Sequence, residues 1–180
     1  MLPSATKKNF LIFWLSGWAL LFIIRALQPS ELTGIMAGLD MEAHRRAGNA
    51  SMVDTIHAHW QEKGVYSQAL WSLVVDLFFI TVISIGGILG GRLLQQDASA
   101  NIRRVGLLAI IAHIAFWLVD YAETLSQLVQ MVQGQGDDML AGIAAFMRPI
   151  KMQLFLIGFA ALVIGYIASR VIAARSGAKS

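Results

Sequence analysis

The chain contains no cysteine among its 180 residues, which excludes disulfides, thiolate nucleophiles, iron–sulfur clusters and cysteine-type zinc sites in one step. Charge is also scarce. Only 14% of the residues are Asp, Glu, Lys or Arg, while 57% are hydrophobic and the mean hydropathy is +0.63, too little charge to clothe a water-soluble globule. The formal net charge is +3, but the basic residues sit at the edges of apolar runs and form no stripe, which argues against a nucleic-acid partner. No P-loop, HExxH, GxSxG or kinase signature occurs, and there is no internal repeat.

What the chain does have is apolar length. Helical segments of roughly 20 mostly apolar residues are needed to cross a hydrocarbon core. Four stretches meet that need, at about 9–27, 69–94, 105–128 and 150–174. Each must be helical, because lipid satisfies no open backbone group. The expected fold is therefore all-α, an antiparallel bundle of four transmembrane helices forming a single domain over residues 1–180. The first run follows Lys7 and Lys8 like a secretory signal, but it is long, and Arg25, Leu27 and Gln28 make a poor processing site, so it reads as a retained span.

The basic residues set an expected orientation. Lys7, Lys8, Arg92, Arg103, Arg104, Arg170, Arg175 and Lys179 fall on one side with only Asp97 opposing, whereas the other two loops mix Arg45, Arg46 and Lys63 with seven acids. The positive-inside rule then places both termini in the cytoplasm. The outer loop at 28–68 is too long to lack structure. Asn49 and Ser51 are capping candidates for a short outer helix with Met52, Val53, Ile56 and Trp60 on one face and Asp54, His57 and Glu62 elsewhere. The second outer loop, 134–148, holds Asp137 and Asp138 and an apolar stretch too short to span.

Small residues mark the faces on which membrane helices pack. Gly86, Gly87, Gly90 and Gly91 crowd the second span, Gly106 and Ala109 begin a stripe on the third, and Gly158, Ala161, Gly165 and Ala168 line the fourth.

Ionisable residues inside the spans are the candidate site. Asp76, Asp120 and Glu123 would each cost several kcal/mol facing lipid in charged form, so they are expected to point inward. At 1.5 Å per residue, Asp76 and Asp120 lie about 10 and 12 Å from the outer ends of their spans and can share a layer. Arg25 closes the first span from that side, while Arg148 and Lys151 open the fourth. His113 continues the polar seam of the third span. The candidate cluster is thus Asp76, Asp120, Glu123, Arg25, Arg148, Lys151 and His113. One reading is an ion-pair network that keeps the helices in register. The other is a pocket in which Asp76 and Asp120 share a proton, bind a cation or act as acid and base, with Arg148 or Lys151 attracting an anionic group.

No second intramembrane histidine accompanies His113, so a two-histidine haem clamp lacks an axial ligand, and no motif names a cofactor. His44, His57 and His59 fall in the outer loop, where a solvated face is the expected setting and a metal site lacks a clear third ligand.

Val75-Asp76-Leu77-Phe78 in the second span, together with Leu118-Val119-Asp120-Tyr121-Ala122-Glu123-Thr124 in the third, resembles a group of uncharacterised bacterial four-span integral membrane proteins whose third span carries Asp-x-x-Glu-Asn. Here Thr124 replaces the amide, and Gly64-Val65-Tyr66 only approximates the Gly-x-x-Tyr element of that group. The resemblance covers roughly 39–124 and implies a fold, not an activity; the expected location is the bacterial inner membrane. Membrane lipids, and other membrane subunits, are the expected partners. The leading functional expectation is a non-catalytic accessory subunit or small binding module; the alternative is an enzyme or carrier acting on a lipid-like or ionic substrate through the carboxylates.

Overall fold

The computed structural model describes residues 2–33 and 38–177. Among these residues the structure is all-helical: α1 (Lys7–Leu27), α2 (Ser30–Thr33), α3 (Met41–Arg46), α4 (Ala50–Glu62), α5 (Tyr66–Leu94), α6 (Ala100–Gln133) and α7 (Asp138–Gly177). Four of them, α1, α5, α6 and α7, are long and apolar enough to cross a membrane. Large apolar side chains stay on the outside of all four, among them Phe22, Phe78, Leu118 and Ile164, an arrangement compatible with an integral membrane protein.

The long helices exceed the expected spans, and α7 does so most. It begins at Asp138, not near Ile150, so the expected second outer loop shrinks to a turn around Gly134–Asp137. Asp137 starts the helix by accepting a hydrogen bond from the Leu140 N–H at 2.8 Å. Pro149 lies inside α7 and lacks one backbone donor there without ending the helix.

Contacts divide the chain into two compact units. The first comprises residues 1–17, 81–117 and 152–180. Its core gathers Leu94, Ile102, Ala109, Ala161 and Leu162, with Trp14, Val105 and Tyr166 packed around them. Glycine allows its helices to close in. A Cβ on Gly91 would stand 2.7 Å from the Gly106 carbonyl oxygen, and one on Gly86 would stand 3.0 Å from the Trp14 nitrogen. The His113 ring fills the room left by two missing side chains, since a Cβ on Gly87 or Gly158 would run into it.

The second unit comprises residues 18–80 and 118–151. Its core contains Leu32, Met41, Ile56, Trp60, Val65, Ala69, Leu73 and Met131, so the 28–68 segment supplies much of it. Asp40 caps α3 by accepting from the Ala43 N–H at 2.8 Å, and Asn49 caps α4 by accepting from the Met52 N–H at 2.9 Å. The start of α4 is tied to the turn before α7. Asp138 accepts from the Ala50 N–H at 2.7 Å, and Asp54 accepts from the Gly136 N–H at 2.6 Å. Farther along, Trp60 donates to the Leu39 carbonyl and Tyr66 donates to the Met131 carbonyl, each at 2.7 Å.

Candidate functional site

The second unit holds a buried charged centre. Glu123, one turn beyond Asp120 on α6, is fully buried. Lys151 reaches both acids from α7, its Nζ standing 2.6 Å from Asp120 Oδ1 and 2.9 Å from Glu123 Oε1. The second base comes from outside the long helices. Arg45, on the short helix α3, places its Nε 3.6 Å from Glu123 Oε1 and its Nη2 3.5 Å from Asp76 Oδ2 on α5. Burial alone would weaken the charge on Arg45, but the carboxylates of Asp76, Glu123, Asp120 and Glu42 outweigh it and raise its pKa above the usual arginine value.

A second tier lies at the rim. Glu42 binds Arg148 in a fork, through Nε at 3.2 Å and Nη2 at 2.5 Å, and also accepts from Arg46 Nε at 2.6 Å. Burial opposes ionisation of Glu42, yet Arg148, Arg46 and Arg45 hold its pKa below the ordinary glutamate value.

A histidine pair backs the centre. His44 and His57 are both buried, and their Nε2 atoms meet at 3.1 Å. His44 Nδ1 lies 3.2 Å from Gln127 Oε1, and Gln127 Nε2 lies 3.3 Å from Glu123 Oε1. An amide oxygen only accepts, so His44 carries its proton on Nδ1 and His57 must donate from Nε2. The resulting order of donation runs from His57 through His44 and Gln127 to Glu123. Both rings are held neutral: burial, reinforced by the unfavourable pairing that two protonated rings would make, pushes the His44 pKa down to about 3, and burial lowers that of His57 against the opposing pull of Asp54. Trp60 and Tyr66 enclose the pair, with ring centroids 5.2 Å from His44 and 5.3 Å from His57, respectively.

Of the residues singled out in the sequence, Asp76, Asp120, Glu123 and Lys151 come together. Arg148 instead serves Glu42 at the rim. Arg25 is exposed at the end of α1 and joins no ion pair among the described residues. His113 belongs to the other unit, where its Nδ1 bonds the Ala109 carbonyl at 2.8 Å. Two expectations change. His57 does not point away from the apolar face of α4 but packs beside Val53, Ile56 and Trp60, because positions 53, 56, 57 and 60 follow the i, i+3, i+4, i+7 spacing of one stripe. Nor are His44 and His57 solvated; each supplies a hydrogen-bond partner for the other, which offsets the cost of burying them. Arg45 and Glu42 received no role from the sequence, although Glu42 and Arg46 stand at a helical i, i+4 spacing. Among the described residues no group of three or more His, Asp or Glu side chains is arranged to hold a metal ion.

No protein-family model, curated protein or solved structure matches the chain. The chemistry of the centre carries the functional reading.

Proposed function

We propose that this chain is a non-catalytic integral membrane protein, a small binding module or accessory subunit of a bacterial inner membrane. Its four spans form an antiparallel bundle with both termini in the cytoplasm and the 28–68 segment on the outer side. The apolar exteriors of α1, α5, α6 and α7 support the membrane setting, and the one-sided clustering of Lys7, Lys8, Arg103, Arg104, Arg170 and Arg175 supports the orientation.

The mutual pairing of the buried charges carries the non-catalytic reading. Asp120, Glu123 and Lys151 are each no more than 4% exposed, and their shortest polar contacts are with one another. A catalytic acid or base must come within hydrogen-bond reach of its substrate. Together with Arg45 and Asp76, these groups are committed to holding α5, α6, α7 and the α3 segment in register. Asp76→Asn and Asp120→Asn test the assignment in purified, detergent-solubilised protein. A register-holding centre loses thermal stability or assembly in these variants. An enzyme site would keep its stability and lose a turnover, and that outcome would replace the reading. Identification of every polypeptide, lipid and chromophore that copurifies would name the partner.

One observation favours a second reading, in which the carboxylates take an ionic ligand. Glu123 Oε2 is buried and has no hydrogen-bond partner.

A further inference from the structure

The start of α6 and the turn after α5 enclose a groove of about 590 Å³, within the size range of sites that hold small ligands. Ala100, Arg103, Arg104 and Leu107 line it at the i, i+3, i+4, i+7 spacing of one helical stripe, and Gln95 supplies the facing wall. Glycine brings that wall close: a Cβ on Gly106 would stand 3.1 Å from the Gln95 nitrogen.

The groove is positive. Its lining carries two guanidinium groups and no acid. Asp97, the carboxylate of the same turn, is engaged elsewhere, its Oδ1 accepting from the Ser99 N–H at 2.8 Å and its Oδ2 from the Ser169 hydroxyl at 2.5 Å. Arg103 is held in place, because its Nη1 donates to the Asp97 and Ala98 carbonyls at 3.1 and 2.8 Å, and its Nε and Nη2 donors are left for a ligand. Arg104 is exposed and joins no ion pair among the described residues. Paired guanidinium groups match the oxygens of a phosphate.

Below the arginines the same stripe turns apolar. Arg104, Leu107, Ile111 and Ile114 follow at steps of three, four and three residues, and all three apolar side chains are exposed. From Arg104 to Ile114 the helix rises about 15 Å, the hydrocarbon depth of one leaflet. A soluble anion would use only the upper part of this surface. A phospholipid uses both.

We propose that the groove binds one anionic phospholipid, its phosphate against Arg103 and Arg104 and an acyl chain along Leu107, Ile111 and Ile114. The proposal rests on the membrane setting and is independent of the buried charged centre.

The test is binding of phosphatidylglycerol to the full-length protein in a neutral detergent, read by native mass spectrometry and by the thermal-unfolding midpoint. Phosphatidylcholine, which carries a phosphate but no net charge, should bind more weakly, and phosphatidylglycerol should saturate at one tightly held copy. Arg103→Gln combined with Arg104→Gln should weaken that binding by about 30-fold, the joint share of two basic residues at a lipid surface. Arg170→Gln combined with Arg175→Gln removes two exposed arginines outside the groove and should leave the affinity unchanged. Equal losses in the two double variants would assign the effect to overall charge and overturn the proposal, as would equal affinity for the two lipids.

Inorganic phosphate separates a lipid from a free anion. It should neither displace phosphatidylglycerol nor raise the midpoint at the same concentration; protection equal to that of the lipid overturns the lipid assignment. Arg104→Gln alone guards against a double variant that fails to fold, and should weaken phosphatidylglycerol by about 5-fold. Full affinity in that variant contradicts the groove. A chain that stays folded and monodisperse without detergent or lipid would sink the membrane setting itself, whereas the other adverse outcomes sink the groove alone.

Discussion

His44 and His57 face each other through their Nε2 atoms at 3.1 Å, inside a wall made by Trp60 and Tyr66. One nitrogen must donate and the other accept, so the contact exists only while at least one ring is neutral. A short loop helix is thereby joined to α4, and through Gln127 to α6, without a formal charge.

That contact predicts an acid-sensitive fold. The folded-state pKa of His44 is depressed to about 3 from an ordinary 6.5, so between those values the unfolded chain binds more protons than the folded one. The stability gained by keeping the ring neutral is present above about pH 6.5 and is lost progressively as pH falls toward 3. His57→Gln should flatten this dependence in thermal unfolding. Identical acid sensitivity in wild type and variant would remove the pair from the account.

Lys151 is expected to be the most sensitive position of the centre. Lys151→Met leaves Asp120 buried without its base and Glu123 with Arg45 alone, and should destabilise by about 3–5 kcal/mol, the range for breaking a buried pair. Asp120→Asn with Lys151→Met should cost less than the two single changes added. A double-mutant cycle by denaturant or heat measures the coupling, and additivity within about 0.5 kcal/mol would show that the pair contributes none.

Arg25→Ala should be nearly silent, within about 0.5 kcal/mol, because the side chain is exposed. Arg148→Ala should cost more, since it strips a forked pair from Glu42. Equal effects of the two changes on the unfolding midpoint would contradict the placement of Arg148.

Glycine substitutions should sort by space. Gly87→Ala puts a Cβ into the His113 ring, and Gly91→Ala puts one 2.7 Å from the Gly106 carbonyl oxygen, so each should cost about 1–3 kcal/mol. Gly142→Ala, in open space on α7, should be neutral or stabilise by up to about 1 kcal/mol. A stable Gly91→Ala alongside a damaged Gly142→Ala would reverse the packing argument.

Topology is testable because the chain has no native thiol. In intact cells an impermeant maleimide should label Gln135→Cys and should label Ala98→Cys only after permeabilisation. Labelling of both positions in intact cells would break the proposed orientation.

The four apolar helices, the cap at Asn49 and the need for Asp76, Asp120 and Glu123 to avoid lipid were legible in the linear chain, because hydropathy, capping and charge burial are properties of short segments. Lys151 was legible too, as a base beginning an apolar run near the same depth. Tertiary structure decided which cations reach the acids. Arg45 enters from α3, a six-residue helix whose position depends on packing over the 28–68 segment, while Arg25, equally basic, stays outside. It also turned His44 and His57 from loop residues into a buried pair, for a histidine shows no preference for burial until a partner thirteen residues away meets its ring. Sequence periodicity gives the direction of a side chain about its own helix; which group waits there depends on the folding of every other segment.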